Sequence, residues 1–331
     1  MFSNPLFQKG LMPLVPTSFP HGGGIEAAAK RWHCHTSDIL DLSTGLHPQG
    51  APDWLGAWLE EHVDLVAQYP DMDGEPARGE LAKAFGLNPE NVWIVAGAQA
   101  VIEVIFQAMR WQSMAIEVPC YNEPIRCAKR AGCAVHAFEA GDTLPPADML
   151  WMTSPHNPTG ETKPFPQHHK GVLDESYMPF ATRRKLGLLD GIIRLGSLTK
   201  TFCIPGLRLG YVIADKHTIA ELKTWLSPWP APTLGLHVLP RLLAEADARD
   251  AQLEQARQKL TALLETHGWT VTPSQASFVL ARPAKTMPDF AAFKILVRHF
   301  PEWPQLSGWV RLGFPRTEND WQRLEKALIF S

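Results

Sequence analysis

The sequence offers no surface of one charge sign. Thirty-one Lys and Arg against 34 Asp and Glu leave a net charge of −3 over 331 residues, which gives no basic footprint for nucleic acid. Long apolar runs are also missing. None approaches the ~18 residues that a membrane span needs. The five cysteines (Cys34, Cys120, Cys127, Cys133, Cys203) are scattered, odd in number and free of any Cys-x-x-Cys pair. That argues against a disulfide framework and fits a reduced, cytoplasmic compartment. The first twenty residues lack a charged n-region, and four prolines break their apolar stretch. They read as an extended arm rather than a signal peptide. Repeats and low-complexity segments are absent. His33-Cys34-His35 and His168-His169 are neighbours that cannot converge on one ion, and no matched second cluster exists, so no metal is expected.

What is present is an ordinary globular composition, 45% apolar and 20% charged, with 29 prolines and 12 tryptophans that suggest rigid loops and large packing anchors. The length suggests about two domains. Gly22-Gly23-Gly24 opens a helix to about Trp32, Leu40 to Ser43 is extended, and residues 52–66 read as a helix. Strands and helices then alternate. The predicted strands are Val92–Ala96, Met114–Val118, Val135–Phe138, Met149–Thr153, Val172–Asp174, Ile192–Leu195 and Leu209–Ile213, with helices over Gln99–Met109, Glu123–Ala131 and Thr218–Trp225. This alternation predicts an α/β fold with a mostly parallel sheet. Arg183-Arg184-Lys185 reads as a solvated helix start. The Pro-rich stretch Trp225–Pro232 marks a hinge. Beyond it lie a polar helix over Ala244–His267, strands at Phe278–Leu280 and Trp309–Leu312, a helix around Phe290–Arg298 and a terminal helix from Glu318, a smaller α+β unit. The organisation expected is an arm and site segment over 1–50, a large domain over 51–228 and a small C-terminal domain over 229–331.

The run Ser197-Leu-Thr-Lys200-Thr-Phe-Cys-Ile-Pro205-Gly206-Leu-Arg208-Leu-Gly210-Tyr211 carries the most chemistry. Lys200 falls just past the end of a buried strand, where partial desolvation makes an amine nucleophilic. Arg208 offers a planar fork for phosphate, and Pro205-Gly206 turns it back toward the lysine. An amine for an aldehyde and a hydroxyl and guanidinium for a phosphate describe a cradle for pyridoxal 5'-phosphate (PLP). Ligands of open parallel sheets bind beyond strand carboxyl ends, where several polar residues fall. Gly97-Ala98-Gln99 joins a strand to a helix start and offers N–H groups to a phosphate. Asp174 suits a pyridine nitrogen, keeping it protonated and the ring electron-accepting. Tyr177 and Asn157 suit the ring's phenolic oxygen. Tyr121 can stack on the ring, and Arg311 can clamp a substrate carboxylate.

Together these residues resemble the fold-type I PLP enzymes of the aminotransferase class I and II superfamily, over nearly the whole chain. Within it the chain resembles the threonine-phosphate decarboxylase family of cobalamin biosynthesis. That likeness is carried by His21-Gly22-Gly23-Gly24 with its Ala-rich helix, by Asp41-Leu-Ser43-Thr-Gly45-Leu-His47-Pro48, by Tyr69-Pro70-Asp71 and by the lysine run. It implies Lys200 as the Schiff-base lysine. Ser197, Arg208 and the Gly97–Gln99 turn would hold the cofactor phosphate, Asp174 the pyridine nitrogen, and Asn157 and Tyr177 the phenolic oxygen, with Tyr121 stacked. His21, Gly22, Gly23, Gly45 and Arg311 would face the substrate, the His21 arm covering its phosphate. Tyr69 would reach the cofactor phosphate of a neighbouring subunit, which implies a homodimer. Departures are His47, Ala98 and Ser277, each where relatives commonly carry Asn, and a link of only 16 residues between Asn157 and Asp174 where relatives carry an added helix.

The resemblance implies decarboxylation of L-threonine O-3-phosphate to (R)-1-amino-2-propanol O-phosphate. The alternatives are an aminotransferase for a phosphorylated amino acid of the histidinol-phosphate type and a non-catalytic PLP-binding protein. All have the same partners: a small phosphorylated amino-acid substrate and a second copy of the chain, with no nucleic acid and no membrane.

Overall fold

A computed structural model of the chain describes Pro16 and residues 21–329; the rest of the arm lies outside the described residues. In chain order the first elements are α1 (Ile25–Trp32), β1 (Leu40–Asp41), α2 (Leu55–Glu61), α3 (Ala77–Phe85), β2 (Val92–Val95), α4 (Ala98–Ile102) and α5 (Ile105–Met109). Next come β3 (Ser113–Val118), α6 (Glu123–Arg130), β4 (Ala134–Glu139), β5 (Met149–Thr153), β6 (Gly171–Asp174), α7 (Phe180–Lys185), β7 (Ile192–Ser197), α8 (Leu198–Phe202), β8 (Gly210–Ile213) and α9 (Lys216–Lys223). The remainder is α10 (Thr233–Leu243), α11 (Ala246–Thr266), β9 (Trp269–Val271), β10 (Val279–Pro283), β11 (Ile295–Leu296), β12 (Arg298–His299), β13 (Val310–Leu312) and α12 (Glu318–Ile329).

Seven strands form the main sheet in the order β2-β8-β7-β6-β5-β3-β4. Only β8 runs against the others, pairing antiparallel with both β2 and β7. Six strands therefore deliver their carboxyl ends to one edge, where α/β ligands bind. β2, β6 and β8 are buried at every residue, as strands covered on both faces must be, which is why they read as unbroken apolar runs. The edge strand β4 instead alternates in exposure. A four-stranded antiparallel sheet, β12-β13-β10-β9, and the short parallel pair β1·β11 complete the fold. The α10 side chains Leu236, Val238, Leu239 and Leu242 share one core with α3, β2 and β8.

The predicted helix 99–109 is broken into α4 and α5. The Val104 N–H donates to Val101, three residues back, which tightens the coil into a turn. The predicted helix 52–66 keeps α2 and then a 3-10 segment over Val63–Ala67; Val63 and Val66 are exposed and have no packing to hold them helical. The helix expected around 290–298 is absent: turns lead into β11 and β12, because Ile295 and Val297 are buried in alternation with their neighbours, the period of a strand.

Arg183 is not solvated. It is 1% exposed and donates to the Met178, Ser197 and Ser176 carbonyls and to Thr201 Oγ1. Beside it Arg194 and Glu175 form a bidentate pair, both fully buried, at 2.9 and 3.0 Å. Removing one partner leaves the other charge unpaired in a low dielectric. Arg194→Met should therefore lower stability by about 3–5 kcal/mol. Glu175→Gln with Arg194→Met should cost markedly less than Arg194→Met alone, as read by the urea unfolding midpoint.

Candidate active site

A cavity of about 290 Å³ opens at the carboxyl edge of the main sheet. Of the residues singled out in the sequence, His21, Gly22, Gly97, Ala98, Gln99, Tyr121, Asn157, Asp174, Tyr177, Ser197, Lys200, Arg208 and Arg311 line it. They come from strand ends and helix starts that lie far apart in sequence. Lys200 sits not in a turn but in the short helix α8, for which Ser197 is the N-cap. Its Nζ donates to the Thr44 carbonyl at 3.0 Å and lies 5.4 Å from the Tyr177 ring centre. Burial alone would raise the Tyr177 phenol, but the Lys200 ammonium and the Arg311 guanidinium hold it below the usual tyrosine value.

Asp174 ends β6 and is 5% exposed. Burial pushes its carboxyl above the usual range, although Ser176 N–H donates to it at 3.0 Å. Such a group is stabilised as an anion by a cationic partner. On the opposite wall Arg208 donates to the Pro205 and Ala96 carbonyls and covers Gly97. Gly97 has φ +80, and a Cβ there would lie 2.7 Å from the guanidinium, so only glycine fits under it. Beyond Gly97, α4 presents Ala98 and Gln99. Tyr121 OH donates to Gln99 Oε1 at 2.9 Å; burial, Glu123 and Asp174 together raise its phenol.

Arg311 is 5% exposed, lies over the Phe278 ring and donates to Asn157 Oδ1 and the Ser43 carbonyl, both at 2.6 Å. Three residues lie outside the lining. Gly45 packs against Tyr177 and Phe278. The Gly23 N–H donates to Ser43 Oγ at 2.8 Å and is committed there, so Gly22 and Gly23 do not form the free pair of donors that their sequence suggests. Gly22 itself touches the Ser43 carbonyl, which a Cβ would meet at 2.6 Å. Tyr69 is 79% exposed and stacks on Trp229 with ring centres 4.7 Å apart.

Two of the departures, His47 and Ser277, have local explanations. His47 is buried, held to the Arg249 carbonyl at 2.8 Å, and its N–H donates to the Lys200 carbonyl; burial lowers its pKa to about 4, so it is a neutral spacer beneath the lysine. Ser277 Oγ donates to the Gly45 carbonyl. Sequence reasoning missed Thr44, Glu123 and Arg298. Thr44 and Arg298 line the cavity, and Glu123 contacts His21 and Gln99. Arg298 pairs across β12 and β13 with Arg311, and no sequence period joins those two strands. Glu103, Glu123 and Cys127 approach one another, but Arg126 already pairs with both carboxylates and burial pushes the Cys127 thiol up to about 12, which denies a metal its thiolate.

The profile of the aminotransferase class I and II family matches residues 37–328. The chain belongs to the aminotransferase class I and II family. A threonine-phosphate decarboxylase of Pseudomonas aeruginosa is 30% identical, with 93% of this chain and 97% of that protein covered. A histidinol-phosphate aminotransferase of Citrifermentans bemidjiense is 26% identical over 87% and 91%. Among solved structures, histidinol-phosphate aminotransferase from Sinorhizobium meliloti in complex with pyridoxal-5'-phosphate shares the fold, with TM-score 0.79, 19% identity and 94% of each chain covered. The fold is fold-type I, the protein is an enzyme, and the cofactor of the family is PLP. No helix among the described residues is long and apolar enough to cross a membrane.

The cavity fits that cofactor. A buried carboxylate in want of a cation, an amine beside a phenol, and a glycine turn beneath a guanidinium match a pyridinium, an aldehyde with its phenolic oxygen, and a phosphate. Borohydride reduction of the holoenzyme should fix the cofactor to Lys200 in peptide mapping; label on another lysine overturns the assignment. Asp174→Asn should retain bound PLP and lose about 100-fold or more in turnover, the scale of one preorganised electrostatic group, and steady-state rates with near-normal turnover would remove Asp174 from that role.

Proposed function

We propose that this enzyme decarboxylates L-threonine O-3-phosphate to (R)-1-amino-2-propanol O-phosphate, a step of cobalamin biosynthesis. The observation that carries the reading is that Arg311 and His21 line the same cavity as Lys200. Arg298 and Arg311 stand side by side across β12 and β13, and both line the cavity with His21. Ser197 and Arg208 are assigned to the cofactor phosphate, which leaves Arg311 and His21 for a substrate with two anions, while Arg298 is already paired with Glu302. Further support comes from the threonine-phosphate decarboxylase relative named above.

When bound, PLP supplies an aldehyde for the substrate amine and a ring that accepts the electron pair left at Cα. The residues of the chain do the rest. Asp174 holds a proton on the ring nitrogen. Tyr177 and Asn157 steady the phenolic oxygen, and Tyr121 stacks. Arg311, locked by Asn157 and Ser43, binds the substrate carboxylate in a forked pair. His21, which lines the cavity, takes the substrate phosphate. Lys200 is the group placed to return a proton to Cα once carbon dioxide has left.

Tyr69 supports a homodimer. It does not line its own cavity, is 79% exposed and packs against Trp229, which is also exposed. The Lys223–Asp73 contact at 3.0 Å draws these two segments together, and exposed apolar patches of this kind mark interfaces.

Incubation of the holoenzyme with phosphothreonine should release carbon dioxide and an amine phosphate, with little keto acid. Keto-acid product with an added acceptor, or activity on histidinol phosphate instead, assigns the chain to the aminotransferases.

A further inference from the structure

We infer that Glu123 is a specificity-determining positioning residue, which holds His21 at the mouth of the cavity to receive the substrate's phosphate. The inference rests on the proposed phosphorylated substrate class and deepens it. Glu123 does not line the cavity. It lies behind it, in the first turn of α6, and is 4% exposed. Its two oxygens have different partners. Oε2 accepts from Gln99 Nε2 at 3.0 Å and faces Arg126 Nε at 2.7 Å and Nη2 at 2.5 Å. Oε1 meets His21 Nε2 at 3.0 Å. One oxygen is thus built into the wall, and the other is turned toward the residue that leads into the arm.

The charges around this contact favour such a role. Arg126 also bridges to Glu103, and Arg130 pairs with Glu103 at 3.0 Å. The two carboxylates are therefore matched by two guanidiniums before His21 is considered. The remaining oxygen of Glu123, Oε1, is thus left to fix the His21 ring through Nε2. The same carboxylate orients Gln99, which receives the Tyr121 hydroxyl, and the His21 and Tyr121 ring centres are 6.0 Å apart. Glu123 thereby ties the start of the described chain to the wall that Tyr121 forms. Glu123→Gln keeps the size and an acceptor for Arg126, but offers His21 Nε2 a neutral amide in place of a carboxylate.

The test is a cycle of wild type, Glu123→Gln, His21→Ala and the double variant, each as holoenzyme. Kd is read from the change in cofactor absorbance with phosphothreonine and threonine, and with histidinol phosphate and histidinol. Each phosphorylated compound is compared with its partner that lacks phosphate. Glu123→Gln should reduce the preference for phosphate on the order of 10-fold, the scale of one charge-assisted contact. In the His21→Ala background it should change the preference by less than about twofold. Equal losses in both backgrounds, or an equal loss for compounds with and without phosphate, would mean a merely structural role and overturn the inference. So would a wild type with no preference for phosphate. If phosphothreonine releases no carbon dioxide yet the cycle shows coupling with histidinol phosphate, the inference stands and the decarboxylase reading falls.

Discussion

One buried guanidinium holds the floor of the site together. Arg183 gathers the carbonyls of Ser176 and Ser197 and the Thr201 hydroxyl, so the segment after Asp174 and the segment around Lys200 share a single anchor. Neither segment can shift without leaving a buried donor or acceptor unpaired, which costs more than the bond itself contributes. Arg194 extends the anchor by donating to the Arg183 carbonyl while it pairs with Glu175, and the Tyr211 hydroxyl donates to the same carboxylate. In this network β6, β7 and β8 are tied by side chains as well as by their ladders. The separation between the Asp174 carboxylate and the Lys200 amine is thus set by the core, before any ligand enters.

The roof depends on a different segment. Residues 41–47 belong to neither main sheet, yet they touch both sides of the cavity. Thr44 receives the Lys200 amine, Ser43 receives the Arg311 guanidinium, and Gly45 receives Ser277. Asp41 stiffens the turn by accepting from Ser43 N–H at 2.8 Å and from Thr44 Oγ1 at 3.2 Å. β1 pairs with β11, which leads two residues later into β12 of the four-stranded sheet, so this segment is tied to that sheet as well. The same segment receives the Gly23 amide, so it also anchors the chain that leads to His21.

Most of the floor was legible in the sequence, because strand ends of an α/β sheet are read locally. Apolar runs locate β2, β6 and β7, and the Gly97 turn after β2 and the polar residues Asp174 and Ser197 that end β6 and β7 are candidates for the edge where ligands bind. What was not legible depends on partners distant in the chain. Arg183 looked solvated because its neighbours Arg184 and Lys185 are charged; the carbonyls that bury it lie on other elements. Arg298 fell inside a predicted helix, since a two-residue strand has too short a pattern to be told from one turn of helix. Glu123 reads as an ordinary first-turn acid of α6, and only the fold shows that His21, 102 positions earlier, arrives at its free oxygen. The glycines before α1 suggested an anion nest, but Ser43 claims one of their amides.

The two enzyme chemistries open to this family differ in which bond at Cα is aligned with the cofactor ring. On the proposed reading, with the amine held at the cofactor and the side-chain phosphate at the mouth, rotation about the nitrogen–Cα bond would be removed. The chirality of Cα then determines which of the two remaining substituents points where, and Arg311 has only to accept the carboxylate in that position. Its guanidinium is fixed by Asn157 on one side and Ser43 on the other, so it cannot follow a rotated carboxylate. On this reasoning the reaction is chosen less by the residues beside Lys200, which decarboxylases and transaminases share, than by the distance between two anion sites. On the proposed reading that distance is set by the place of Arg311 on β13 and by how firmly the wall behind Tyr121 holds His21.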